Sequence, residues 1–330
     1  MSRDSASSTS DTSAGRIVRS LQTLGVAATI LITIVAACRS SSAAAVTRAP
    51  VIAAAGDIAC GPSEIGSSGN NINLCQATAT SDLLVGGHFA KVLALGDEQY
   101  PCGSLADFEK VYNASWGRVK ALTRPVPGNH EYGSIGTGCT AAGNADGYYQ
   151  YFGREAGSPQ RGYYSFDVGA WHLIALNSDC TAVGCAKGSP QERWLKRDLV
   201  RHRRKCTLAF WHHPRFSSRP NGNEPETDAF WRDLYAARAD VVLVGHDHDY
   251  ERFAPQSPNG HRDSRGIREF VVGTGGKSHF AFLTTQPNSE ARNADTFGIL
   301  ELTLQPVSYS WKFVPIAGGT FKDSGSAACH

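Results

Sequence analysis

Short apolar segments that each run straight into a glycine, an acid or an imidazole recur through the first two thirds of this chain. Val51–Ala55 leads into Gly56-Asp57, and Val92–Leu95 into Gly96-Asp97. Pro125-Val126-Pro127 precedes Gly128-Asn129-His130-Glu131, Thr207–Trp211 precedes His212, and Val241–Val244 precedes Gly245-His246-Asp247-His248. Continuous apolar runs of this length are buried-strand signals. In open α/β sheets the carboxyl ends of the strands form the ligand rim, so five consecutive segments converge on one edge. The glycines suit sharp turns and close backbone approach there. A chain with this pattern is expected to be an α/β protein with a polar site at its strand ends.

The residue types point to metal. Asp, Asn amide oxygen, Tyr and His are ligands for hard or borderline ions, and the thiolates of a structural zinc site are missing from the set. A single strand-end Asp or His is more often a hydrogen-bonded structural residue; seven donors at five strand ends argue for coordination. His246 and His248 stand two apart and would face opposite ways on a straight strand. They converge only if the chain turns there, as Gly245 permits.

Composition adds bounds rather than a function. The 330 residues carry 41% apolar and 19% charged side chains with a net charge of +2, which gives no reason to expect nucleic acid as a partner. The basic run Arg201–Lys205 follows an amphipathic segment and reads as a solvated helix end. Residues 1–49 differ in kind: Arg16 and Arg19, an apolar run from Leu21 to Ala37, then Ser/Ala-rich sequence. That order is an export signal, and the run is short and polar for a membrane span. Val35-Ala36-Ala37-Cys38 resembles a bacterial lipoprotein processing box, whereas Ser42-Ala43-Ala44 could serve ordinary cleavage. The protein is therefore expected outside the cell or at its surface, touching membrane only through this segment.

Nine cysteines agree with export. Setting Cys38 aside leaves eight, an even number that suggests disulfides in an exported chain. Proximity favours Cys60–Cys75 and Cys180–Cys185; Cys102–Cys139 with Cys206–Cys329 is one of three pairings open to the other four. From residue 50 to 330 no linker or repeat intervenes, so one domain is expected. Further strands are read at Phe270–Val272, Tyr163–Val168, Trp171–Leu176, Phe297–Leu304 and Ser308–Phe313, the last four as antiparallel neighbours. Helices are read near 76–87, 105–116, 190–204 and 226–238, the third opened by a capping box of Ser189 and Glu192 with Pro190.

Taken in order, Gly56-Asp57, Gly96-Asp97, Gly128-Asn129-His130-Glu131, His212 and Gly245-His246-Asp247-His248 resemble the motif set of the calcineurin-like metallophosphoesterases. Asp97-Glu98-Gln99-Tyr100 and the run His246 to Arg252 resemble the purple acid phosphatases within that superfamily. The resemblance implies two mixed β-sheets packed face to face and flanked by helices. It implies a first ion, Fe(III), at Asp57, Asp97, Tyr100 and His248, and a second, Fe(II), Zn or Mn, at Asp97, Asn129, His212 and His246. It further implies attack of a metal-bound hydroxide on a small phosphate monoester, with His130 contacting phosphate and protonating the leaving group.

Substrate contacts are expected from Asn129 and His130, with His213 and Arg219 as weaker candidates. The family's spacing to Pro214 selects His212 rather than His213 as ligand. Further histidines common downstream of that motif in purple acid phosphatases are replaced here by Arg215 to Asn223, where Arg219, Asn221 or Asn223 could meet phosphate. A phosphodiesterase or nucleotidase on the same core, or a metal-binding surface protein without turnover, are the competing readings. The plant-type N-terminal β-sandwich is not expected in this length. Gly273 to Ser278 imitates a phosphate loop but lacks its first glycine, and reads as a turn after a strand bordering the same rim.

Overall fold

The apolar runs form strands because small and branched side chains suit a pleat covered on both faces. A computed structural model describes residues 48–66, 70, 74–133, 138–139, 143–159, 161–219 and 223–330. Residues 1–47 of the expected leader, with Cys38, and Asn221 lie outside the described residues. β1 (Val51–Ala55), β2 (Lys91–Ala94) and β3 (Thr123–Pro125) lie parallel. β4 (Tyr164–Val168), β5 (Trp171–Ala175), β6 (Cys206–Phe210), β7 (Val241–Val244), β8 (Tyr250–Phe253), β9 (Arg268–Val272) and β10 (Ser289–Asn293) form a second sheet. Its order is β10-β8-β9-β7-β6-β5-β4, with β5, β6, β7 and β9 parallel. The chain then returns to the first sheet as β11 (Gly298–Gln305), β12 (Ser308–Pro315) and β13 (Ser324–Ala328), and β11 pairs antiparallel with β1. Both sheets are mixed, as the resemblance implied.

Helices α1 (Ala77–Gly86), α2 (Leu105–Asp107), α3 (Asn129–Tyr132), α4 (Asp146–Phe152), α5 (Cys180–Val183), α6 (Pro190–Arg201) and α7 (Asp228–Ala236) occupy the connections. Strand alternation sorts the core into layers. In β5, Leu173 and Ala175 join the cluster between the sheets, with Leu208, Phe210, Leu243, Leu300, Leu302 and Phe313. Ile174, between them, points the other way and packs with Leu195 of α6 and Phe230, Trp231 and Leu234 of α7.

Helix ends differ from the sequence reading for local reasons. The helix expected over 105–116 is a single α turn that widens into a π-helical stretch at Phe108–Tyr112 and then breaks. There Ser115 Oγ donates to the carbonyls of Val111 and Tyr112, at 3.1 and 3.2 Å, competing with the backbone ladder. α6 begins as expected, with Ser189 Oγ accepting from Glu192 N at 3.1 Å. Its capping box is incomplete, because the Glu192 carboxylate takes the Gly188 N–H at 3.1 Å instead of that of Ser189. The four disulfides Cys60–Cys75, Cys102–Cys139, Cys180–Cys185 and Cys206–Cys329 are all present.

Candidate metal centre

All five strand ends reach one rim, which the two sheets share. Gly56 N bonds Val272 O at 2.8 Å and Gly245 N bonds His212 O at 2.9 Å, drawing the turns after β1, β6, β7 and β9 together. Asp57, Asp97 and His246 take positive φ values of 59°, 48° and 69°. Left-handed backbone at a non-glycine residue costs on the order of 1–3 kcal/mol and persists where the surroundings enforce it. The turn that lets His246 and His248 converge is therefore made by His246 itself and not by Gly245. Gly245 is required for closeness: a Cβ there would lie 2.8 Å from Asp57 Oδ2. At Gly128 a Cβ would lie 2.2 Å from Asp97 Oδ1.

The two buried carboxylates each divide their oxygens. Asp57 Oδ2 accepts the His246 N–H at 2.8 Å, and Asp97 Oδ1 accepts the His130 N–H at 2.9 Å. Their other oxygens turn inward. Tyr100 Oη lies 2.9 Å from Asp57 Oδ1, 3.0 Å from Asp97 Oδ2 and 2.9 Å from His248 Nε2. His248 Nδ1–H donates to Ser278 O at 2.7 Å, so in the neutral ring Nε2 carries a lone pair. One phenol hydrogen thus faces three acceptors. Burial, then Asp57 and Asp97, hold the Tyr100 phenol well above its ordinary pKa in the absence of a cation.

The second group has the same character. His212 Nδ1–H donates to Leu95 O at 2.8 Å, which fixes Nε2 toward Asn129 Oδ1 at 3.0 Å. His246 Nδ1 lies 3.0 Å from the same oxygen and 3.2 Å from His212 Nε2. Burial, then the neighbouring His213 and His212, push the His246 pKa well below normal, so that ring stays neutral. Asp97 Oδ2 is 3.3 Å from His212 Nε2 and so touches both groups. Lone pairs facing one another at roughly 3 Å are the spacing of ligands around ions with bonds of about 2.0–2.2 Å. Asp57 with Asp97 and His212, and His212 with His213 and His246, each bring potential ligand atoms within 4.8 Å of one another. The residues present fit two cations, and the backbone bonds on the far sides of the His212 and His248 rings give the orientation such ligands need.

The remaining expected residues fall around this centre. His130 packs against Tyr100 with ring centres 4.2 Å apart and planes tilted by 49°, ties Nδ1–H to Pro101 O at 2.6 Å, and leaves Nε2 at 3.9 Å from Asp97 Oδ2. It lines a cleft of about 530 Å³ with Asp97, Tyr100, Asn129, Arg219, His246, His248 and Lys277. Arg219 stands there over Phe280, 3.4 Å from Asp247. His213 does not border that cleft. It bonds Ser178 Oγ at 2.9 Å, and burial followed by His212 drops its pKa to about 3. Asn223 bonds Ser217 N at 3.1 Å, so it shapes the loop instead.

Two contributors had no role assigned from sequence. Glu131 accepts the N–H groups of Asp97, Gln99 and Gly128, at 2.9, 3.1 and 2.8 Å, and so fastens the Asp97 turn to the Asn129 turn. Its signal was a Glu at the third position of a helical turn, the capping-box place. Lys277 reaches the cleft from the glycine turn after β9, a segment expected to border the rim although the lysine itself was given no role; it pairs with Glu64 at 2.5 Å.

Comparison with known proteins gives the same frame. The calcineurin-like phosphoesterase family model matches residues 52–250, more than half of the chain. Purple acid phosphatase 15 of Arabidopsis thaliana is 34% identical over 173 residues, which are 49% of this chain and 32% of the relative. Purple acid phosphatase 18 of the same plant is 33% identical over 166 residues, 47% of this chain and 37% of the relative. The chain thus spans about a third of the length of these relatives. A purple acid phosphatase from yellow lupin seeds superimposes with a TM-score of 0.69 at 20% identity, over 84% of this chain and 53% of that one, a likeness of fold. On the matched residues, the fold and the strand-end motifs together, this chain belongs to the calcineurin-like phosphoesterase family.

Proposed function

We propose that this chain is an exported phosphoesterase that hydrolyses small phosphate monoesters at a pair of metal ions on the shared rim. The observation that carries the reading is Asp97 Oδ2, one oxygen within 3.3 Å of both Tyr100 Oη and His212 Nε2. Asp57, Asp97, Tyr100 and His248 would hold Fe(III); Asp97, Asn129, His212 and His246 would hold Fe(II), Zn or Mn. When bound, such a pair acidifies water and neutralises charge on phosphoryl oxygens. His130, pinned through Nδ1, directs Nε2 at the cleft, where it can bind phosphate and pass a proton to the departing oxygen. Arg219 and Lys277 place two cations on the cleft wall, which suits the doubly charged phosphate of a monoester over the singly charged phosphate of a diester.

Residues 50–330 would form the catalytic domain and residues 1–49 the export signal with its linker, lipidated at Cys38. Four disulfides support an oxidising compartment. Among the described residues no helix is long and apolar enough to cross a membrane.

Matched monoester and diester substrates, given to metal-loaded protein, test the activity. Faster monoester turnover is expected from the extra charge; faster diester turnover moves the reading to a phosphodiesterase, and no phosphate from a broad panel refutes it. The iron assignment has its own readout, a visible tyrosinate charge-transfer band that Tyr100→Phe abolishes. A colourless protein holding two non-iron ions would remove iron and leave the phosphoesterase. Cys38→Ala should free the protein from membranes, and unchanged fractionation contradicts lipidation.

A further inference from the structure

At the opposite end of the second sheet, away from the rim, a second set of metal-competent side chains comes together. His172 lies near the start of β5, in register with Thr207 at the start of β6, whereas the rim lies beyond the ends of these parallel strands. Its Nε2 is 2.8 Å from Asp198 Oδ2 on α6. The other Asp198 oxygen is 3.0 Å from Nδ1 of His202, the residue that caps α6. The two imidazoles stack at 4.7 Å, and ligand atoms of all three residues lie within 4.8 Å of one another.

The surroundings hold these atoms in place from behind. His172 Nδ1 is 2.8 Å from Asp167 Oδ1 of β4, and Arg204 fixes the other Asp167 oxygen at 2.6 Å. Ser165 Oγ donates to Asp198 Oδ1 at 2.8 Å. A carboxylate on the far nitrogen of a ligating histidine is the usual support for zinc, because it fixes the ring and strengthens the donor. His172 and Asp198 are buried, while the His202 side chain is 44% exposed, so one face is open to water as a fourth ligand.

We infer that His172, Asp198 and His202 form a third metal site, for a zinc-class divalent cation, backed by Asp167 and separate from the rim pair. Two imidazoles, one carboxylate and a water make a tetrahedral set suited to that ion. The site would clasp the end of α6 to the edge of the second sheet. The competing arrangement is an ion triad without metal, in which His172 carries both protons between Asp167 and Asp198.

Equilibrium dialysis against zinc, with metal counted per chain, separates the two. Wild type should hold one more zinc than His202→Ala, while both release phosphate at the same rate. Asp167→Asn should weaken that additional ion by about 10- to 100-fold, the usual effect of removing such a support. Equal zinc counts in wild type and His202→Ala would leave only the ion triad and overturn the site. Anomalous diffraction from wild-type crystals is a second readout needing no variant. A peak between His172 and His202 supports the site whatever the rim holds, and its absence beside occupied rim positions refutes it.

Discussion

Gly128 lies so close to Asp97 that it leaves no room for a Cβ. Gly128→Ala would drive a methyl into Asp97 Oδ1, the oxygen that takes the His130 N–H. Its backbone is extended, so the effect is steric rather than conformational. We expect rim metal affinity to fall by about 10- to 100-fold, the scale seen when ligand orientation is lost, with the fold intact by circular dichroism. His130→Ala separates proton transfer from metal binding: kcat should fall by about 10²- to 10⁴-fold while metal content stays unchanged. Loss of metal in that variant would make His130 a support for Asp97 instead. At this scale much was legible in sequence, because ligand chemistry is written in residue type and strand-end position. Left-handed backbone at Asp57, Asp97 and His246 was not, since side chains that tolerate strain only under tertiary constraint look like any others. Lys277 lies in the glycine turn read as bordering the rim, but only the fold shows its ammonium at the cleft beside Glu64.

Between elements, acids set the shape of the segment after His212. Glu269 of β9 accepts Arg215 N and Phe216 N at 3.0 and 3.2 Å, and Glu251 of β8 accepts Ser218 N at 2.9 Å. Asp247 accepts Ser217 Oγ, so Arg219 follows a loop held at four successive residues. Across the sheets, Asp323 receives Tyr250 Oη at 2.6 Å, Arg252 Nε at 2.8 Å and Trp311 Nε1 at 3.1 Å. Burial alone would raise the Asp323 pKa, but these bonds outweigh it and hold the carboxyl below the usual range. A carboxyl depressed in the folded state contributes stability above its unfolded pKa and loses it as pH falls through the folded value. Asp323→Asn should therefore cost about 1.5–3 kcal/mol at neutral pH, the scale of charge-assisted bonds, in denaturant titrations. The difference should shrink below about pH 4, the ordinary carboxylate range; a constant difference down to pH 2 would contradict it. Strands with strong apolar runs were legible to within a residue or two. β10 and β13 were not, because polar alternation at a sheet edge carries little period-two signal, and β8 was not because Glu251 and Arg252 interrupt its apolar run. The helix expected over 105–116 failed where Ser115 turned its hydroxyl onto the backbone.

Over the whole molecule, the Cys206–Cys329 bridge fastens β6 to the chain end across a separation of 123 residues. Because it closes so long a loop, replacing both cysteines by Ala should cost about 2–5 kcal/mol, measured as a lower denaturant midpoint at constant m-value. A loss under 1 kcal/mol would mean the β12–β13 pairing alone secures the end. Proximity marked Cys60–Cys75 and Cys180–Cys185, but the other four cysteines allow three pairings, and only the fold singles out Cys102–Cys139 with Cys206–Cys329; the sharing of one rim by two sheets was implied by family resemblance. No periodicity states that β3 and β7 end side by side. The proposed chemistry needs two ions held across Asp97, and anomalous diffraction at the absorption edges of iron, zinc and manganese would locate them. Two peaks should flank the Asp97 carboxylate, one among Asp57, Tyr100 and His248 and the other among Asn129, His212 and His246. Metal-replete crystals with no peak at this rim would contradict that chemistry.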